Sequence, residues 1–301
     1  VYGHDFSAAV YVPGMSVIGR LRLGYENDID DLLQPYLQGE NIEVTNASAL
    51  AGQLVFAQHY ESTGNEESLR LVVEAAKLAF DGNGDPLEVA PMHNEMSDSF
   101  FMATPLLVKA GKFTDERKYY DMAARHVIYM RSLLLRQNRL YRHSPEADVA
   151  WSRGNGFAAL GLALSLTDFP KELPTRDIIL GFLADQLTAL LPHQDADGMW
   201  HEVVDYPGSF AEITSTAMIG TAIKRGLDEG WLSEETFLPA LQKAWSAVKI
   251  RTSFEGVFIN ACTSTGKMSS LDAYLDRHAI FGRDDRAGGM VMNFAIEMAD
   301  L

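Results

Sequence analysis

The sequence predicts an all-α protein whose helices pair into hairpins and form a ring. Apolar residues recur at helical spacing, as in 119–134 and 178–191. Strand-like stretches are few and short, the clearest being 200–204 and 256–259. Short glycine-containing connectors also alternate with long irregular segments. Together these patterns indicate about twelve helices, with roughly 25 residues for each helix and its loop.

Three short connectors have the composition of turns between antiparallel helices. They lie at 63–67, 110–116 and 229–235, and each has a glycine followed by acidic residues. Glycine suits the left-handed residue after a helix, and acids suit the positive end of the next helix. Thr114 and Ser233 are the expected N-caps. We therefore predict a helical hairpin at each connector.

Longer irregular segments separate these hairpins. They are residues 81–97, 137–154, 193–211 and 253–267. If tight turns occupy one end of the ring, the long loops gather at the other, where a site can form. No proline-rich or low-complexity linker interrupts the chain, so we predict one domain over residues 1–301.

The charge and cysteine content narrow the range of partners. Acidic residues number 41 against 25 basic ones, giving a net charge of −16. Nucleic acid is therefore an improbable partner, since phosphate binding needs a basic surface. A few arginines can still make one pocket attractive to a small anion. Cys262 is the single cysteine, which excludes an intrachain disulfide and a cysteine zinc cluster.

Targeting signals are not visible in the sequence. No apolar run is long enough to span a membrane, and no signal peptide is recognisable at the start. Both a cytoplasmic and a periplasmic or secreted location are compatible with this sequence. The oligomeric state is left open.

The segment Trp151–Phe157 is the strongest indication of a binding site. It combines an indole, the guanidinium of Arg153 and two glycines immediately before an apolar helix. Trp151 could stack on a sugar, and Arg153 could pair bidentately with a carboxylate. The alternative is a core tryptophan, a surface ion pair and a turn. The segment favours a binder of acidic carbohydrate.

Asp98 is the candidate general acid. It lies where a long loop enters an apolar helix, among Phe100, Phe101 and Met102. These neighbours favour the protonated form of a carboxyl. The alternative is that Asp98 or Ser97 only caps the helix. His143 precedes Arg153 by ten residues and is either a site residue or an ordinary loop histidine.

Two further segments are candidates for the walls of the site. Asp197-Gly198 predicts a turn, after which Trp200 is expected to form a pocket wall. The segment is not a calcium loop, because it lacks the later bidentate glutamate. Glu212 begins another helix, where it either interacts with the helix terminus or orients a site residue.

Nucleotide, serine-hydrolase and zinc-protease motifs are missing. The sequence has no Gly-Lys-Ser/Thr phosphate loop, no Gly-x-Ser-x-Gly and no His-Glu-x-x-His. Gly154-Asn155-Gly156 is a weak dinucleotide fingerprint, because no strand leads into it.

The ordered motifs resemble glycoside hydrolase family 105, the unsaturated rhamnogalacturonyl hydrolases, with relatives in family 88, the unsaturated glucuronyl hydrolases. Residues 98–105 (DSFFMATP) resemble its Asp-x-x-Phe-Met-x-x-Pro, and 151–156 (WSRGNG) resemble its Trp-Ala-Arg-Gly-Asn-Gly. Residues 197–200 and 212–218 resemble the later Asp-Gly-x-Trp and Glu-x-Ser/Thr-x-x-Met blocks of the family. Asn46 resembles the start of an early Asn-Pro-Gly block, and residues 283–297 resemble the tail of the family sequence.

The resemblance implies an (α/α)6 barrel, no metal or organic cofactor, and a particular reaction. The substrate would be an oligosaccharide from a polysaccharide lyase, with a 4,5-unsaturated uronic acid at its non-reducing end. Hydration of the C4–C5 double bond would give a hemiketal that collapses and releases the terminal sugar as an open-chain keto product. Asp98 would protonate C4 and then accept a proton from the water that adds at C5.

The resemblance also assigns the remaining site residues. Arg153 and His143 would hold the uronate and the water, while Trp151 and Trp200 would form sugar platforms. Glu43 lies where the family often has an aspartate, and Phe157 lies where it usually has tryptophan. We predict that both residues, together with Asn46 and Glu212, bind the substrate.

Two other functions are compatible with the sequence. One is another (α/α)6 sugar enzyme, such as a 2-epimerase, although such enzymes use paired histidines and no clear pair is present. The other is a carbohydrate-binding protein without catalysis. The sugar at the +1 position and its linkage are left open.

Overall fold

The computed structural model describes residues 1–40 and 42–299. Its main feature is a closed ring of helices, each packed against the next, with the last packed against the first. The members of this inner ring are α1 (Tyr11–Arg22), α3 (Ala47–Gly52) continuing into α4 (Leu54–Thr63), α6 (Ser99–Met102) continuing into α7 (Thr104–Thr114), α9 (Ser152–Asp168), α11 (Ile213–Asp228) and α14 (Asp285–Met298).

Outer helices pack against this ring and alternate with the inner helices along the chain. They are α2 (Glu26–Leu37), α5 (Glu66–Lys77), α8 (Arg117–Leu134), α10 (Pro174–Leu190) and α12 (Glu234–Ile250). A short α13 (Leu271–Leu275) lies in a loop, and Leu191–His193 form a 3-10 turn. The predicted (α/α)6 barrel is confirmed, and the count of about twelve follows if α3–α4 and α6–α7 are each taken as one interrupted helix.

Burial of the inner helices explains the weak amphipathicity of some of them. Helix α9 is buried on almost all sides, and its central part, residues 156–164, has no polar side chain. Gly161 allows α9 to lie against α6, because a Cβ at this position would lie 2.7 Å from the Cα of Phe101. The close contact places the start of α9 beside Asp98 and its flanking residues.

Two of the three predicted hairpin connectors form as expected. Gly64 and Gly230 take left-handed conformations after α4 and α11. At the third, Asp115 supplies the left-handed residue, because α7 continues through Gly111 to Thr114. The prediction of Thr114 as an N-cap is therefore wrong. Ser233 has the N-cap position of α12, but its side chain makes no capping hydrogen bond.

Two small antiparallel sheets lie in the long loops. Strand β1 (Trp200–His201) pairs with β2 (Ala211–Glu212), and β3 (Phe258–Cys262) pairs with β4 (Ala279–Gly282). The register between β3 and β4 shifts at Asn260, which has a positive φ of 65°. Both sheets lie at the end of the barrel where the inner helices begin.

The opposite end of the ring is closed by ion pairs. Glu297 accepts hydrogen bonds from Arg22 and Arg225 at 2.7 and 2.8 Å, and Lys109 bridges Glu61 and Asp168. These groups surround a cavity of about 90 Å³ with an apolar floor. None of the described helices is both long and apolar enough to cross a membrane.

Candidate active site

The candidate site lies where the inner helices begin. Asp98 and Ser99 start α6, Ser152 starts α9, and Glu212 immediately precedes α11. The positive ends of several helix dipoles therefore point towards one region, which favours negatively charged groups there. The predicted gathering of the long loops at one end is the geometric basis of this arrangement.

Asp98 and His143 come together at the centre of this region. The Oδ2 atom of Asp98 lies 3.1 Å from Nε2 of His143, and the His143 side chain is fully buried. The two atoms are close, but their alignment is not that of a hydrogen bond. Such a contact can tighten when a substrate binds. The Asp98 side chain is 12% exposed, so it retains contact with solvent.

The alternative role of Asp98 as a helix cap is not observed. Asp98 has the N-cap position of α6, but its side chain accepts no hydrogen bond from the helix. Ser97 does not cap the helix either, because its Oγ has no hydrogen-bond partner. Phe100 and Phe101, which follow Asp98, are fully buried. Asp98 is thus a carboxyl at an apolar boundary whose side chain faces a histidine.

Trp151 packs against this pair. Its ring centroid lies 4.4 Å from that of His143, and the residue is only 1% exposed. Gly154 is required beside them, because a Cβ there would collide with Ser97 Oγ. Trp151 supports the His143 ring in this structure, where it has almost no free surface for a sugar. Its Nε1 is buried and has no hydrogen-bond partner within residues 1–40 and 42–299.

Arg153 differs from the sequence-based expectation. It is 2% exposed, and its guanidinium donates to Thr214 Oγ1 at 2.8 Å and to the carbonyls of Thr263 and Cys262. A carboxylate oxygen of Glu212 lies 3.5 Å away. Most of the five N–H groups of the guanidinium are therefore directed at protein acceptors. The expected bidentate pair with a uronate is not available in this arrangement.

Glu212 combines both of the roles considered for it. Its fully buried carboxylate accepts hydrogen bonds from the backbone N–H groups of Thr214 and Ser215, and thereby caps α11. It also accepts from the backbone N–H of Cys262 at 2.9 Å and lies beside Arg153. Glu212 therefore fixes both Arg153 and the end of β3.

Two residues predicted to bind the substrate, Trp200 and Phe157, belong to the hydrophobic core. Trp200 is fully buried, and its Nε1 donates to the carbonyl of Leu190 at 2.8 Å. The expectation that Trp200 forms a sugar platform is wrong for this arrangement, because its ring has no exposed face. Phe157 is stacked on Phe101 with centroids 5.3 Å apart and is 1% exposed, so it too is a packing residue.

Asn46 and Glu43 lie in the segment before α3. Asn46 accepts a hydrogen bond from the N–H of Ala49 at 2.9 Å and caps that helix. Glu43 is exposed. Helix α3, which follows both residues, contacts α6, the helix that Asp98 begins. Their contact with a substrate stays a prediction.

Three residues of the site were missed by sequence reasoning. Tyr274 OH lies 2.8 Å from Nδ1 of His143, although the two residues are 131 positions apart. Tyr11 begins α1, and burial raises the pKa of its phenol to about 12, with Asp98 raising it further and Arg153 opposing. Glu202 is fully buried beside Cys262. An acidic residue within the apolar stretch 200–204 was the available signal for Glu202.

A metal site is not formed by the described residues. No three histidine, cysteine or acidic side chains within residues 1–40 and 42–299 are grouped as metal ligands. The candidate site consists instead of one partly exposed carboxyl, a buried histidine and a buried arginine.

Comparison with known proteins identifies the family. The sequence model of Glycosyl Hydrolase Family 88 matches residues 25–301. The chain belongs to this family. The family predicted from the sequence motifs is confirmed.

Two curated relatives have informative names. The unsaturated 3S-rhamnoglycuronyl hydrolase of Formosa agariphila is 30% identical over 171 residues, which are 50% of this chain and 45% of the relative. The unsaturated rhamnogalacturonyl hydrolase YesR of Bacillus subtilis is 24% identical over 244 residues, which are 78% of this chain and 65% of that protein. The chain therefore spans less than two thirds of either relative.

Solved structures support the fold. A possible member of family GH105 from Salmonella enterica superposes with a TM-score of 0.82 at 22% identity, covering 97% of this chain and 83% of that one. A family 105 glycoside hydrolase from C. acetobutylicum gives a TM-score of 0.81 at 18% identity, covering 98% of this chain and 95% of that one. At these identities the similarity shows the barrel architecture.

Proposed function

We propose that this chain is a glycoside hydrolase that releases a terminal 4,5-unsaturated uronic acid from lyase-generated oligosaccharides. The observation that carries the proposal is the side chain of Asp98. In a barrel of family 88, this carboxyl faces His143 instead of capping its own helix. A carboxyl held in this way is suited to proton transfer.

The reaction needs one group that acts first as acid and then as base. Asp98 donates a proton to C4, and the electrons of the double bond form the new C4–H bond. The positive charge left at C5 is shared with the ring oxygen. Water then adds at C5 and returns its proton to the Asp98 carboxylate. The C5–O5 bond of the resulting hemiketal breaks to give a ketone at C5, and the hemiacetal left at C1 then expels the rest of the oligosaccharide as an alcohol. The uronic acid is thereby released as an open-chain keto sugar.

The carboxylate of the substrate is favoured by the start of helix α9. The positive end of α9 lies at the site and attracts an anion, whereas the positive end of α11 is already occupied by the Glu212 carboxylate. The positive charge of Arg153 lies behind this region, although Glu212 compensates part of it. In this proposal Arg153 acts mainly through its fixed charge and through the backbone that it holds.

The names of both curated relatives suggest the first substrates to test. One is a 3S-rhamnoglycuronyl hydrolase and the other a rhamnogalacturonyl hydrolase. We therefore propose a rhamnose-type residue next to the unsaturated uronic acid. Unsaturated glucuronyl disaccharides from glycosaminoglycans form the contrasting substrate class.

The test is loss of the ultraviolet absorbance of the C4–C5 double bond. Wild-type protein and Asp98→Asn are incubated with unsaturated disaccharides from rhamnogalacturonan, 3-sulfated rhamnoglycuronan and glycosaminoglycan lyases. We expect loss of absorbance with a rhamnose-containing substrate. Turnover by Asp98→Asn should fall by about 10³-fold or more, because the amide has no proton to donate. The variant keeps the size of the side chain, so its melting temperature serves as the folding control.

The outcomes separate this proposal from its alternatives. Wild-type activity in Asp98→Asn would overturn the assignment of the acid. Binding of the disaccharides by wild-type protein without any loss of absorbance would favour a binding protein without catalysis. Conversion of a free neutral hexose would instead favour a sugar epimerase.

A further inference from the structure

Tyr274 connects a distant loop to the candidate catalytic pair. It belongs to α13, between β3 and β4, and is fully buried. Its hydroxyl lies 2.8 Å from Nδ1 of His143, whose opposite nitrogen faces Asp98. The side chain of Tyr274 thus reaches the Asp98 carboxyl through the imidazole ring.

The neighbours of the Tyr274 hydroxyl determine the direction of its hydrogen bond. The backbone N–H of Met268 can only donate, and it points to the Tyr274 oxygen at 3.4 Å. That oxygen therefore acts as acceptor towards Met268. The buried O–H still needs an acceptor, and among the hydrogen-bond partners of Tyr274 in the described residues His143 Nδ1 is the one that can accept its proton. Burial raises the pKa of the Tyr274 phenol to about 12, with the Met268 hydrogen bond opposing, so the proton is retained at neutral pH.

The tautomer of His143 follows from this direction. When Nδ1 accepts the proton of Tyr274, the single proton of a neutral imidazole resides on Nε2. The protonated Nε2 then lies 3.1 Å from Oδ2 of Asp98, close to this oxygen although not aligned for a hydrogen bond. A protonated nitrogen beside Oδ2 disfavours an acidic proton on that oxygen and so favours its placement on the other carboxyl oxygen. In the opposite tautomer the unprotonated Nε2 would attract the acidic proton of Asp98 to Oδ2, which is buried.

We propose that Tyr274 is a positioning residue that fixes the Nε2-protonated tautomer of His143 and thereby directs the acidic proton of Asp98 towards the substrate. The tautomer of His143 depends only on the hydrogen bonds in the structure. The direction of the acidic proton of Asp98 rests on the proposed function. The two parts can therefore be tested separately.

The first experiment measures the tautomer directly. Nitrogen NMR of protein labelled with ¹⁵N-histidine distinguishes a protonated from an unprotonated ring nitrogen, and the His143 signals are assigned by their loss in His143→Gln. We expect wild-type His143 to have a bare Nδ1 and a protonated Nε2. In Tyr274→Phe we expect a mixture of tautomers or the opposite one. Tyr206→Phe, at a half-exposed tyrosine, is the matched control and should leave the signals unchanged.

Two NMR results would overturn the proposal. One is a protonated Nδ1 in wild-type protein, and the other is an unchanged tautomer in Tyr274→Phe. The wild-type measurement alone shows which tautomer His143 adopts, even if Tyr274→Phe is too unstable to study. It also needs no substrate, so an inactive wild-type protein would overturn the proposed function without affecting this result.

The second experiment separates positioning from substrate binding. We expect Tyr274→Phe to lower kcat by about tenfold, a part of what general acid–base catalysis contributes, and to leave KM within about twofold of wild type. The phenyl ring preserves the packing against Trp151 and Cys262. A wild-type kcat in a variant with an altered tautomer would show that the tautomer does not control Asp98. A large increase in KM alone would also contradict the positioning role.

Discussion

The buried carboxyl of Glu202 makes the stability of this protein depend on pH. Its side chain is fully buried, Oε1 accepts a weak hydrogen bond from Cys262 Sγ at 3.6 Å, and Oε2 has no hydrogen-bond partner among the described residues. Burial raises its pKa from 4.5 to about 7. The Cys262 hydrogen bond opposes this shift, whereas Glu212 adds to it. Arg153 lies nearby, but Glu212 already pairs with it.

The size and sign of the effect follow from this pKa. Between pH 4.5 and about 7, the unfolded chain releases the proton of Glu202 while the folded chain retains it. The folded state binds more protons in this window, so the free energy of unfolding decreases as the pH rises. The pKa shift of Glu202 contributes about 3 kcal/mol to the free energy of unfolding. This contribution is fully present below pH 4.5 and is lost by about pH 7. Glu202→Gln removes this titration.

The assay compares the melting temperatures of Glu202→Gln and wild-type protein at one acidic and one alkaline pH. We expect the variant to gain about 4 °C relative to wild type on going from pH near 5 to pH near 8, because the unfolding entropy of a chain of this length is about 0.6 kcal/mol per degree. Glu235→Gln, at an exposed glutamate, is the matched control and should show no such gain. The same melting-temperature difference at both pH values would refute the reasoning, because Glu202 would then titrate alike in the folded and unfolded chains.

Two further substitutions test the ends of the barrel. Glu297→Gln should lower the free energy of unfolding by about 3 kcal/mol, because two arginines lose a largely buried partner; an unchanged denaturant midpoint would mean that these ion pairs contribute nothing net. Arg153→Lys should lower the melting temperature, since an ammonium cannot keep the contacts to Thr214, Thr263 and Cys262 together. An increase in KM at unchanged melting temperature would instead show that Arg153 binds the substrate.

The parts of the fold that depend on local sequence were predictable. The apolar period in 119–134 and 178–191 corresponds to α8 and α10, which are regular outer helices. Gly64 and Gly230 ended helices as expected, because few other residues adopt a positive φ without cost. The error at Thr114 has a local cause as well. Gly111 faces the ring of Tyr120 inside α7, so its role is close packing and not helix termination.

The parts of the site that depend on distant residues were not predictable. Residue type drew attention to Asp98, His143 and Trp151, which the structure brings together. It did not reveal that Arg153 would be directed at the carbonyl of Cys262, because that contact joins residues 109 positions apart. Likewise, no local pattern could distinguish a core tryptophan from a sugar platform at Trp200. The orientation of a side chain in a barrel wall depends on which helices flank it.

Helix capping explains why Asp98 is distinguished from the other polar residues at this end of the barrel. Asn46, Glu212 and Asp284 also precede inner helices, and each accepts a backbone hydrogen bond from the helix that it begins. Their oxygens satisfy N–H groups that would otherwise have no partner. In the described part of the chain, Asp98 is the acidic N-cap of an inner helix whose side chain makes no such bond. No backbone N–H of its helix holds the Asp98 carboxyl, which faces His143. The helix N-termini therefore immobilise the other polar groups but leave this carboxyl available for proton transfer.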